Sequence, residues 1–385
     1  MKKDTILTVS SRANKPRYMV QLDALRALAV FAVILTHFVA ASPGSTLLFL
    51  TSIFPWASLG VRLFFVLSGF LITGILLRCR DRIDLAKQDV IFTIRRFYIR
   101  RFLRIFPIYY LTLAVTAIAN IKPVRETFLW HLTYTSNIYI ATRGNWNDGP
   151  VIPFWSLSVE EQFYLIWPFI ILLLPKKHLL KAIFITILIG PLFRLSCLIF
   201  GLNEIQTYVL PFSSLDVLGI GAILAVYTYT PERFKQSKTY LCNFGFWVGG
   251  SLLIILQVMH LFNIGDIVRI VVEPTVTALF FVWLVARAAQ GFGGVAGIIL
   301  ELKPLVYIGK ISYGIYVYHC FIPVIVPRIF YYLGLPYPSS LSMQLVLKIM
   351  ATLIVAVLSW HLIEKPINNL KRHFGYQKSV IELRT

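Results

Sequence analysis

Apolar runs of about 20 residues recur from one end of the chain to the other, each long enough as a helix to cross ~30 Å of hydrocarbon. They predict ten spans, near 18–40, 59–77, 105–121, 158–174, 180–200, 211–229, 242–262, 268–286, 305–327 and 341–363. No polar stretch between them is large enough for a second globular unit. The expected organisation is a tail at 1–17, a transmembrane domain at 18–363 and a second tail at 364–385. The fold class is therefore an all-α integral membrane protein with about ten transmembrane helices. No internal repeat is evident, which counts against an inverted-repeat transporter.

Composition supports this pattern. With 57% hydrophobic and 14% charged residues, the chain is too apolar for a soluble domain, which would carry charge at roughly a quarter of its positions. A net charge of +20 would suggest nucleic acid, but the lysines and arginines sort by side. The segments expected on the side of the termini carry 27 of them and the opposite loops carry 5. That asymmetry predicts cytoplasmic termini and a multi-pass protein of the inner (cytoplasmic) membrane. The charge then reflects topology and contact with anionic membrane lipids, and no nucleic-acid partner is expected. The first run has some features of a signal peptide, with an apolar core at Leu28–Phe38 before Ala40-Ala41-Ser42. Asp23 and Arg26 interrupt it where a signal would be apolar, and its loss would leave an odd number of spans, so it is expected to be retained. Cys79, Cys197, Cys242 and Cys320 form no CxxC pair, and neither a disulfide framework nor a zinc framework is expected.

Ionisable residues within spans cost several kcal/mol unless paired or hydrated, so each is a functional candidate. Arg26 and His37 lie eleven residues apart in the first span. Three helical turns put them on one face, separated by ~16 Å along the axis, with Arg26 toward the cytoplasm and His37 toward the outer leaflet. Asp23 can pair with Arg26 at i, i+3. Either residue alone has an ordinary reading as a snorkelling arginine or a satisfied interfacial histidine; the two on one face point to function.

A second cluster runs from Trp155 to Tyr164. Ser158-x-x-Glu161 has the form of a capping box, which assigns Glu161 to the helix start. Glu160, on a different face with Tyr164 at i+4, is left without that explanation and is the candidate acid or base. On the expected topology His37 and Glu160 lie at similar depth near the outer side, and their adjacency is an expectation. A third cluster, Arg95, Arg96, Arg100, Arg101 and Arg104, contains no lysine and is interrupted by Phe97, Tyr98, Phe102 and Leu103. It reads either as an interfacial helix on anionic lipid or as a phosphate site, with Arg101 and Arg104 one turn apart toward a single phosphorylated ligand. Arg62 is expected to snorkel outward, and Ser68-Gly69 to allow close helix packing. Asp216, Glu273, Arg194 and His319 are expected to pair internally, and Ser312–His319 to pack with hydrogen-bonding tyrosines.

Taken in order, these motifs resemble the bacterial membrane acyltransferase-3 family, which O-acylates cell-surface sugars and other exported molecules. The carrying residues are Leu22-Asp23-x-Leu25-Arg26 with Arg26-x10-His37, Phe64-Phe65-Val66-Leu67-Ser68-Gly69-Phe70, Arg101-x-x-Arg104 before Phe106-Pro107, Trp155–Tyr164, and Ile311–Tyr316. Ala24 and Ala27 stand where many relatives have glycine. The resemblance implies ten spans, an acyl-CoA donor from the cytoplasm and a hydroxyl acceptor. It also implies an acetyl group as the commonest cargo. O-antigen of lipopolysaccharide, exopolysaccharide, a lipid-linked oligosaccharide and a secreted small molecule all fit as acceptor. Many relatives append an extracytoplasmic esterase-like domain; this chain runs about twenty residues past its tenth span, so the membrane domain is expected to act alone or with a separate partner. Combined with the residue chemistry, this makes His37 the general base, Glu160 its orienting carboxylate, and Arg26, Arg101 and Arg104 the holders of the acetyl-CoA phosphates. Direct transfer is expected, without a metal. The competing readings are a transporter or flippase and a glycan polymerase or ligase, and dependence on an acyl donor separates them.

Overall fold

The structure, a computed structural model, describes residues 18–40, 55–85, 88–147, 149–229, 231–262 and 264–376. The expected tail at 1–17 and the last part of the second tail, 377–385, lie outside the described residues. Every regular element among the described residues is helical. Among the described residues nine helices are long and apolar enough to span a membrane, and a bent pair counts as a tenth crossing if it is taken as one span. They are α1 (Val20–Ala40), α2 (Trp56–Asp84), α3 (Val90–Ile118), α4 (Phe154–Leu173), α5 (Lys176–Ile199), α6 (Leu215–Tyr229), α7 (Gln236–Leu261), α8 (Asp266–Gln290), the pair α9 (Ser312–Tyr318) and α10 (Ile322–Tyr332), and α11 (Leu341–Ser359).

The middle of the bundle is set by small residues. A Cβ added at Gly69 would collide with the Leu218 carbonyl, and one at Gly221 with the Val66 carbonyl, so α2 and α6 touch backbone to backbone. Such contacts drive helix association where lipid supplies no hydrophobic force. Outward, Leu188 and Leu192 on α5, Ile254 and Ile255 on α7 and Leu358 on α11 are exposed, as suits a surface bathed in lipid. Two buried ion pairs join helices across the bundle. Arg194 on α5 donates bidentately to Asp216 on α6 at 2.9 and 2.8 Å, as expected for an internal pair. Arg62, expected to snorkel, is instead buried and meets Glu273 of α8 at 2.7 Å; a carboxylate opposite it within the bundle makes the journey to the interface unnecessary.

Three boundaries differ from the hydropathy pattern, each for a local reason. The arginines that end the apolar runs are good helix formers, so α2 continues past Arg82 and α3 begins at Val90, capped by Asp89, whose carboxylate accepts from the Phe92 amide at 2.9 Å. The arginine cluster is thus the first half of a spanning helix. The α4 helix starts at Phe154, four residues before the expected 158. The ninth crossing, expected to be continuous over 305–327, is broken and bent by 65° between α9 and α10. Pro323 lacks the N–H that would bond the His319 carbonyl in an unbroken helix. The break leaves His319 and Cys320 at the bend, beside α1.

The segment between α3 and α4 folds back as two short helices, Phe128–Leu132 and Ser136–Arg143. His131, buried at their junction, contacts Thr127 Oγ1 at 2.8 Å and Ser136 Oγ at 2.7 Å, and burial pushes its imidazole down to about 4. Between roughly pH 6.5 and pH 4 the unfolded segment binds a proton that the folded one refuses, so stability is present at neutral pH and is lost as pH falls. The full effect is at most about 3 kcal/mol. Hydrogen exchange across 128–143 is expected to accelerate as pH is lowered through this window, after correction for intrinsic rates, and to lose that dependence in His131→Gln.

Candidate active site

Two cavities lie end to end within the bundle. The first, about 210 Å³, is lined by Arg26 of α1, Ser68 of α2, Arg101 and Arg104 of α3, Glu160, Glu161 and Tyr164 of α4, and Ser312, Tyr313 and Tyr316 of α9. The second, about 930 Å³, is lined by His37 of α1, Arg62, Trp146, Trp155, Tyr208, Arg269, Glu273 and Cys320, among others. Val61, Phe65 and Tyr316 line both and form the septum between them. The two expected residues of α1 therefore open into different cavities, as their spacing along one helix face allows.

In the first cavity Arg26 pairs with Asp23 at 2.7 Å, the i, i+3 contact read from the sequence, and Tyr18 donates to the other carboxylate oxygen of Asp23. Four of the five arginines in the cluster on α3 divide by role. Arg96 and Arg100 donate to the carbonyls of His373 and Lys371, at 3.1 and 2.7 Å, and fasten the segment after α11. Arg101 and Arg104 face the cavity, and among the described residues neither is in an ion pair. The Arg101 guanidinium carbon lies over the Tyr164 ring, 4.8 Å from its centroid. Tyr164 donates to Ser68 Oγ at 2.8 Å, and Ser68 donates in turn to Glu160. Guanidinium groups that line a cavity outside any ion pair have the chemistry to take a phosphate-bearing ligand.

Two expectations fail here. His37 and Glu160 are not brought together, because the early start of α4 carries Glu160 nearly two turns down the helix, by ~9 Å, onto Ser68. Nor is Glu161 a cap: the Ser158 hydroxyl donates back to the Phe154 carbonyl at 3.0 Å inside the helix, and Glu161 lines the cavity beside Glu160. Ser68, expected only to ease packing, is the partner of Glu160.

The second cavity is walled by aromatic rings, with Trp155 and Tyr208 centroids 4.8 Å apart and Trp146 edging both. The same cavity is lined by an ionic network in which Arg269 approaches Glu204 at 3.3 Å and Glu273 at 3.8 Å. His37 sits at the α9–α10 break. Its Nδ1 is 2.8 Å from His319 Nε2, and His319 Nδ1 is 2.7 Å from the Tyr316 carbonyl oxygen. Cys320 Sγ is 3.7 Å from His37 Nδ1, so three ligand-type atoms converge within 4.8 Å. The N···N contact between the two histidines is at hydrogen-bond distance. The part played by His319 was missed in the sequence, where it read as one more internally paired ion; its place at a proline break was the available signal.

The family model described as an acyltransferase domain, Acyl_transf_3, matches residues 19–361. "Peptidoglycan O-acetyltransferase OatA" of Listeria monocytogenes is 29% identical over 91% of this chain and 56% of its own length. "Putative O-acetyltransferase SAS0844" of Staphylococcus aureus is 30% identical over 92% of this chain and 58% of its own length. "Putative peptidoglycan O-acetyltransferase YrhL" of Bacillus subtilis is 28% identical over 91% and 55%. The chain thus spans little more than half the length of the curated relatives it matches. No solved structure matches it. A ten-crossing helical bundle whose motifs fall in one order from the first span to the last, and whose match covers nearly the whole length, belongs to the acyltransferase-3 family.

Proposed function

We propose that the protein transfers an acetyl group from acetyl-CoA to a hydroxyl of a cell-envelope saccharide, working as a multi-pass enzyme of the cytoplasmic membrane. The observation that carries this reading is the pair of cavities that share Val61, Phe65 and Tyr316, one lined by three arginines and the other by His37 together with aromatic rings. The charge asymmetry supports a cytoplasmic side for the arginine cavity, the side from which acyl-CoA would come. Arg101 and Arg104, joined by Arg26, hold the donor phosphates. Glu160, with Ser68 and Tyr164, belongs to the donor side, where its carboxylate can accept from amide N–H groups of the pantetheine arm. The arm reaches the second cavity by displacing the Phe65 and Tyr316 side chains.

Trp146, Trp155 and Tyr208 suit the apolar faces of sugar rings, and the ionic network lining the same cavity suits hydroxyls and amides. The printed names of two relatives make a peptidoglycan-type glycan the first acceptor to try, ahead of O-antigen and exopolysaccharide. His37 takes the acceptor proton as its oxygen forms the new C–O bond. The thioester C–S bond breaks, and CoA thiolate leaves with the proton returned by the imidazolium.

Purified protein in nanodiscs, given acetyl-CoA and muropeptide or oligosaccharide acceptors, is expected to release free CoA and to yield an ester-linked acetyl by mass spectrometry. A protein that moves solute across vesicles with no donor, and acetylates none of these acceptors, would overturn the proposal.

A further inference from the structure

The imidazole of His319 is fully buried and lines neither cavity, yet it touches the one side chain proposed as base. The rings of His37 and His319 lie within 8° of a common orientation, with centroids 5.1 Å apart and nearest nitrogens 2.8 Å apart. That centroid separation equals the N···N distance plus two ring radii. The centroids and both nitrogens therefore fall on one line in the plane of the rings, which is the geometry of an in-plane N–H···N hydrogen bond rather than of face-to-face stacking.

The chain of partners then assigns every proton. The Tyr316 carbonyl can only accept, so His319 Nδ1 carries a hydrogen. A neutral His319 keeps its lone pair on Nε2 and must accept from His37. His37 Nδ1 is thus the donor, and its own lone pair is left on Nε2, which has no protein partner among the described residues. We infer that His319 is a positioning residue that locks His37 in the Nδ1–H tautomer, with the Nε2 lone pair directed to the acceptor hydroxyl and the imidazolium stabilised through Nδ1 during transfer. The inference rests on the reading of His37 as base. It also explains how that base is oriented although Glu160 lies in the other cavity: a neutral acceptor fixed by a backbone carbonyl replaces a carboxylate, so no further charge is buried. The Tyr316 residue that closes the septum with its ring and its Ser156 contact also anchors this relay with its carbonyl.

Protein labelled with 15N-histidine and studied in lipid by solid-state NMR tests this directly, the His37 signals being assigned by their loss in His37→Gln. The wild-type protein is expected to show a pyrrole-type Nδ1 and a pyridine-type Nε2; the opposite tautomer overturns the inference. In kinetics, His319→Phe is expected to lower kcat by roughly a hundredfold with KM for donor and acceptor within twofold. His319→Gln, which can still accept from Nδ1–H, is expected to recover most of the loss. If His37→Gln is inactive while His319→Phe keeps kcat within threefold, the positioning role fails and the base assignment stands. If His37→Gln itself turns over normally, the base assignment fails, whatever the tautomer.

Discussion

His37→Ala is expected to lower acyl transfer by about a thousandfold, close to 4 kcal/mol of transition-state stabilisation, while donor binding stays within twofold of the wild type. The size follows from the loss of general-base assistance to a sugar hydroxyl, which is a weak nucleophile until its proton is removed. The selectivity follows from placement: His37 lines the second cavity, and the arginines that would hold the donor line the first. His37→Gln is the necessary companion. Glutamine has similar bulk and an amide that cannot take up a proton, so it is expected to be as inactive as alanine. A glutamine variant that restored transfer would show that the imidazole serves packing alone. The measurement is single-turnover release of CoA with acceptor present, beside equilibrium binding of acetyl-CoA to the same nanodisc preparation.

The sequence made the membrane architecture legible because hydropathy in a bilayer reports a hard constraint: a backbone without water must be helical, and ~30 Å of hydrocarbon sets the length. Where that constraint is silent, the expectations shifted. Arginine-rich extensions of α2 and α3 carry no apolar signal, yet nothing stops the helix at the interface. The bend between α9 and α10 hides in a continuous apolar run whose only mark is Pro323. Arg101 and Arg104 could be paired from helical spacing and residue type, the family resemblance added Arg26, and the structure gathers all three in one cavity. Contacts between helices distant in sequence were beyond that reasoning. The placing of Glu160 against Ser68 and the meeting of Arg62 with Glu273 depend on how α2 packs on α4 and α8, which no periodicity encodes. The same holds for His319, which lies 282 residues from its partner His37.

The double variant Arg101→Ala, Arg104→Ala is expected to weaken acetyl-CoA binding by close to a thousandfold while leaving the protein folded. Each guanidinium lost removes a charge-assisted contact of about 2 kcal/mol, and two give about 4 kcal/mol, or three decades in Kd. Folding is expected to survive because neither residue is in an ion pair among the described residues and Glu160 keeps its hydrogen bond from Ser68; the structural arginines of the same helix, Arg96 and Arg100, keep their hold on the segment after α11. Lysine at both positions preserves the charge but not the planar fork or the stacking of Arg101 on Tyr164, and it is expected to recover only about a tenth of the lost affinity. Salt provides a further check. Donor affinity of the wild type should fall as ionic strength rises, and that dependence should flatten in the double alanine variant, because the phosphates would then have fewer fixed cations to meet. Unchanged donor affinity in the double variant would move the phosphate site elsewhere, and His37 would then need a different route for its thioester.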